Sequence, residues 1–147
     1  MKYATTSSLF ALAASATLHA QEVTFDLSGL GSWDSPGSPN NVVLTESLGD
    51  TYIIREITWT DVVGSGLGGL SWGNEMQMDV NGEVNVQFFP AEGSGSPGGT
   101  WGPASGSSSA NFSTDELVLE FYESYDDASD TIDAEYVSGT ITITYGS

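Results

Sequence analysis

The sequence predicts an all-β domain: a two-sheet antiparallel β-sandwich, jelly-roll-like, with about seven or eight strands, preceded by a signal-peptide helix. Three observations lead there. Apolar residues after position 20 recur with a period of two, as in Met76, Met78 and Val80 against Gln77 and Asp79. Gly, Ser, Thr, Asn and Pro separate these runs, which is turn punctuation. No helical period of useful length follows the N-terminal segment. The chain has 147 residues, which suits one domain with a real core.

Residues 1–20 read as a secretory signal peptide. Met1 and Lys2 give a positive start, Leu9 to Ala14 an apolar run too short to span a bilayer, and Ala20 a small residue at the expected cut. Ala14-Ser15-Ala16 is a competing cut. The expectation is therefore a secreted, extracellular (or periplasmic) domain over 21–147, with no membrane insertion once the leader is gone.

Within that domain, Val23, Phe25 and Leu27 alternate with polar residues as the first strand. Residues 34–41 form a loop, Val42 to Leu48 a short strand, and Leu48-Gly49-Asp50 a turn. Tyr52 to Val63 is the longest strand, with Ile53, Ile57 and Trp59 on one face and Arg55 sharing it against a carboxylate. Gly64 to Gly69 reads as a glycine-rich loop. Asn81-Gly82 is a hairpin turn joining the Met76–Val80 strand to Val84, Val86 and Phe88. Residues 92–111, almost all Gly, Ser, Pro and Ala around Trp101, read as a long surface loop. Leu117, Leu119 and Phe121, then Ile141, Ile143 and Tyr145, are the last two strands, with Thr140, Thr142 and Thr144 facing the other way.

Composition narrows the chemistry. The chain holds 20 Asp and Glu and a formal charge of −18; beyond residue 20, Arg55 is the single Lys or Arg. Such a surface repels nucleic acid and anionic lipid and attracts divalent cations. With neither His, Cys nor Lys after residue 20, the residues of a Ser-His-Asp or Cys-His nucleophile, a Schiff-base lysine, a His-rich zinc site and a phosphate loop are missing. Only paired carboxylates remain for acid–base work, and these suffice for glycoside hydrolysis.

The acidic segment Glu123, Asp126, Asp127, Asp130 and Asp133 has no basic residue within it. Hard oxygen ligands at short spacing on a loop are what calcium uses, although the spacing is not that of an EF-hand. A solvated acidic loop is the competing reading. Trp72 and Trp101 sit among Gly and Ser, where an indole can stack on a sugar ring or cap the open end of a core.

Ser71-Trp-Gly-Asn-Glu-Met-Gln-Met78, with Leu119 to Asp127 and Asp133-Ala-Glu-Tyr-Val-Ser-Gly-Thr-Ile-Thr142, resembles bacterial exported modules of the convertase P-domain-like or galactose-binding-like kind. The resemblance implies a two-sheet sandwich without catalysis of its own. The expected function is a secreted, non-catalytic binding or structural module for an unknown protein or glycan ligand, stabilised by calcium. A carbohydrate-binding module and a small carboxylate-only glycoside hydrolase are the alternatives.

Overall fold

The computed structural model describes residues 19–91 and 97–147. The leader helix expected over residues 1–20 falls outside them, apart from His19 and Ala20. The described chain is all-β. Its strands are β1 (Gln21–Asp26), β2 (Gly31–Ser32), β3 (Val42–Gly66), β4 (Met76–Val80), β5 (Val84–Gln87), β6 (Thr100–Glu123) and β7 (Ala134–Gly146), with one 3-10 turn at Gly73–Glu75. They form one seven-stranded antiparallel sheet in the order β1-β7-β3-β6-β4-β5, with β2 beside the start of β7.

The two long strands turn this sheet into a sandwich-like body. The last part of β6 pairs with the start of β3 on one side and β4 on the other, while the end of β3 runs between the first part of β6 and β7. Phe88, at the far end of the sheet order, meets Tyr136 of β7 with ring centroids 5.5 Å apart and Trp59 of β3 at 6.1 Å. Those contacts require the sheet to fold back over itself. The apolar positions of the alternating strands meet inside: Met76, Met78, Leu117, Leu119, Phe121, Ile141 and Ile143 are all fully buried. The hairpin at Asn81-Gly82 forms as its sequence requires. Both residues take left-handed φ values, +56° and +70°, and the Glu83 N–H closes on the Val80 carbonyl at 3.0 Å.

Four local expectations are corrected. The turn expected at Leu48-Gly49-Asp50 lies within β3: residues 48–51 bulge out opposite Asp115, with Gly49 at φ +80°, and pairing with β6 resumes at Tyr52. The loop expected over 92–111 is strand from Thr100 onward. Its small residues serve packing, since a Cβ on Gly106 would stand 2.6 Å from the Trp59 ring. Finally, a bulge at Arg55 breaks the alternation, because Ile54 faces Tyr145 and Glu56 already faces Thr144. Ile54 and Ile57 are therefore the buried pair rather than Ile53 and Ile57, and Arg55 is exposed rather than buried against a carboxylate. It lines a shallow cleft with Tyr145, Gly146 and Ser147. The glycine run is also shorter than expected, as β3 continues to Gly66.

Candidate functional site

The segments richest in acid converge at the Ala134 end of β7. Backbone hydrogen bonds fix the convergence. The Glu123 N–H donates to the Asp34 carbonyl at 3.0 Å, the Asp133 N–H to the Ser32 carbonyl at 3.0 Å, and the Ser124 N–H to the Glu75 carbonyl at 2.8 Å. The end of β6, the loop after β2, the 3-10 turn and the 124–133 segment are thereby held around one point. Burial follows: Ser32, Ser71, Glu123, Asp133 and Tyr136 are fully shielded, and Asp34 nearly so.

Glu123 is the centre. The Ser71 hydroxyl donates to its Oε2 at 2.7 Å and also reaches Glu75 Oε2 at 3.4 Å, so two carboxylates meet at one hydroxyl. Glu75 is held from the other side by the Trp72 N–H at 2.8 Å. Glu123 Oε1 has no partner, and neither have Ser32 Oγ, Asp126 Oδ1, Asp133 Oδ1 and the Tyr136 hydroxyl. Burial pushes the Glu123 carboxyl up to about 7, and the nearby charges of Glu75 and Asp133 push the same way against the Ser71 hydroxyl. Glu75 and Asp133 are also raised, chiefly by burial and then by acidic neighbours despite the backbone N–H groups they accept. The Tyr136 hydroxyl is raised by burial first and by the Glu123 charge second.

Of the five carboxylates expected to hold calcium, Glu123 and Asp133 lie in this buried end, and Asp126 and Asp127 act on Asp133 from the segment between. Asp127 is exposed, but its N–H donates to Asp133 Oδ2 at 3.2 Å. Asp130 turns elsewhere. Its N–H donates to Asp34 Oδ1 at 3.2 Å and its Oδ1 accepts from Asn40 Nδ2 at 2.9 Å. Asp34 also accepts from Ser38 and Asn40, which hold its carboxyl below the usual range. Asp34 thus ties the 35–41 loop to the 124–133 segment. Among the described residues, no three His, Cys, Asp or Glu side chains converge closely enough to grip a metal ion.

Trp101 is buried, its ring centroid 6.4 Å from that of Phe89. Trp72 is half-buried at the start of the 3-10 turn. Glu120 stands apart from Glu75 and Glu123 in role: it accepts from the Gly37 N–H at 2.6 Å and from Asn41 Nδ2 at 2.8 Å, fastening the 35–41 loop.

Ser32, Asp34, Ser71, Glu75 and Tyr136 were not among the metal-site residues expected from sequence. Ser71 and Glu75 carried a signal, lying within the Ser71–Met78 segment that supports the family resemblance. Ser32 and Asp34 carried none, since nothing near them marks proximity to residues a hundred positions away. No protein-family model, no curated protein and no solved structure matches the chain.

Proposed function

We propose that the chain is a secreted, non-catalytic β-sandwich module that binds a protein or glycan ligand, with calcium stabilising its acidic end. One observation carries the reading. Glu123 Oε1, Asp126 Oδ1 and Asp133 Oδ1 are carboxylate oxygens shut away from water without a partner. Burying ionised groups without compensation is costly, and the group either finds an opposite charge or neutralises. Arg55, the single basic residue after position 20, is exposed near Tyr145, whereas the acids cluster at the Ala134 end of the same strand. A hard divalent cation is the partner that oxygen donors of this kind favour, and calcium takes about six to eight of them. Glu123, Asp133, Ser32 and Asp126 would hold it, with Asp127 and Asp130 bracing the segment, once residues 124–133 draw closer to Glu123.

The test is the melting temperature of the protein with calcium, magnesium and sodium at matched ionic strength. A ligand bound only to the folded state raises the melting point. Calcium is expected to raise it well beyond the other two, and less so in Asp133→Asn. Equal shifts with all three salts would reduce the effect to screening and remove the site.

The glycoside hydrolase alternative has its own motive, since Glu75 and Glu123 meet at Ser71 and both are raised. Release of reducing sugar from a common glycan, abolished in Glu75→Gln, would select it over the binding module. Glycan affinity without turnover, lost in Trp72→Ala, would select the carbohydrate-binding reading. Trp101→Ala tests that less cleanly, because the ring is part of the core.

A further inference from the structure

We infer that the first half of β6 is a self-association edge, along which a second copy of this chain pairs antiparallel so that two sheets continue as one. Over Thr100–Thr114 the strand pairs with β3 on one side, and among the described residues no strand pairs with its other side. Every second residue of an edge strand directs its N–H and C=O outward, so this edge offers a long unfilled ladder.

Exposed edges are ordinarily blunted by charge, by proline or by shortness. This edge has Pro103 near one end and nothing comparable after it. From Ala104 to Thr114 the sequence is Ala-Ser-Gly-Ser-Ser-Ser-Ala-Asn-Phe-Ser-Thr, without one charged residue in a chain that carries 20 acids. Beside the edge, Trp59, Ala104, Ala110 and Phe112 pack on the core but remain partly exposed. A strand added there would cover them as well as fill the ladder.

Charge selects the partner. A basic protein would be drawn to the acidic surfaces elsewhere and would gain nothing from an uncharged edge. A partner as acidic as this chain is repelled everywhere else, so it can approach closely only where charge is missing. A second copy, itself at −18, is such a partner. Antiparallel self-pairing about a local two-fold at Ser108 sets Ser107 against Ser109 and Gly106 against Ala110, small uncharged residues on both sides, which is the self-complementary contact a two-fold dimer needs. On the outer face Ser107 and Ser109 would meet each other, with Ser105 opposite Asn111.

The test is sedimentation equilibrium of the purified protein over a range of concentration and salt. A dimer is expected, and it should tighten as salt rises, because screening relieves repulsion between two acidic bodies while the paired edge carries no charge to be screened. Ser107→Asp combined with Ser109→Asp puts like charges opposite one another across the pairing and should weaken the dimer by about tenfold or more. Both side chains are exposed, so folding is spared. Thr140→Asp on β7 adds acid to the same face away from the edge and should leave the dimer nearly unchanged. Amide exchange over 104–112 should slow as concentration rises. A protein that stays monomeric at every concentration and salt would overturn the inference. So would a dimer that tolerates the double substitution, or one whose concentration-dependent protection lies outside β6.

Discussion

Replacing Glu123 by Gln should make the protein markedly more stable at pH 8 than the wild type, in the absence of calcium. The carboxyl titrates near 4.5 when the chain is unfolded and at about 7 in the folded protein, where burial and the charges of Glu75 and Asp133 resist its ionisation. A raised carboxylate value means that the native state holds the proton more tightly than the unfolded state. Below pH 4.5 both states are protonated and Glu123 imposes no penalty. As pH rises from there to about 7, the unfolded chain releases the proton freely and the native state is left behind, so stability falls. Above about 7 the loss is complete. The span of the shift corresponds to about 3 kcal/mol at full ionisation. Glu75 and Asp133 are raised too and add slope of the same sign, whereas Asp34 and Asp26 are lowered and oppose it.

Gln has the shape of the protonated acid and cannot ionise. The quantity to read is therefore a double difference: the drop in unfolding free energy between pH 5 and pH 8 for the wild type, less the same drop for Glu123→Gln. Its expected size is about 2–3 kcal/mol, because at pH 5 the unfolded chain has already released part of the proton. Urea denaturation with chelator present, followed by tryptophan fluorescence, measures it without the screening that guanidinium would add. Parallel pH profiles for the two proteins would refute the reasoning, and so would a wild type that gains stability between pH 5 and pH 8. Saturating calcium should flatten the wild-type profile, because a bound cation replaces the proton.

Tyr136→Phe removes a fully buried hydroxyl that lacks a partner, so stability should change by less than about 1 kcal/mol or rise, as urea midpoints will tell. Gly106→Val would drive a side chain into the Trp59 ring, 2.6 Å from the first added atom, and should cost about 1–3 kcal/mol with a visible change in tryptophan emission. Asp34→Ala cuts the ties to Ser38, Asn40 and Asp130, and should speed amide exchange in 35–41 and 124–133 while leaving β4 and β5 protected.

Periodicity made the buried strands legible. Met76, Met78, Leu119, Phe121, Ile141 and Ile143 are buried as their alternation requires, and the Asn81-Gly82 turn is where it was expected. The reading failed wherever long-range packing decided the outcome. Ser-Gly-Ser-Ser-Ser over residues 105–109 has the composition of a loop, and only the indole of Trp59, some fifty residues earlier in the chain, explains why it is strand. The bulge at Arg55 depends on a register set jointly by β6 and β7, which no local pattern at 53–57 encodes.

The acidic site was half legible for a similar reason. A count of carboxylates between 123 and 133 says that charge is dense there, but not which groups face water. Burial makes that distinction, and it follows from contacts with Ser32, Asp34, Ser71 and Glu75, none of them on that segment. Asp130, equal to Asp133 on sequence, is committed to Asp34 and Asn40, while Asp133 keeps an oxygen free in the interior. Two acids three residues apart thus differ in kind: one fastens a loop, and the other needs a proton or a cation. A comparison of Asp130→Asn with Asp133→Asn should separate these roles, since the first should loosen the 35–41 loop while calcium still stabilises the fold, and the second should blunt the response to calcium itself.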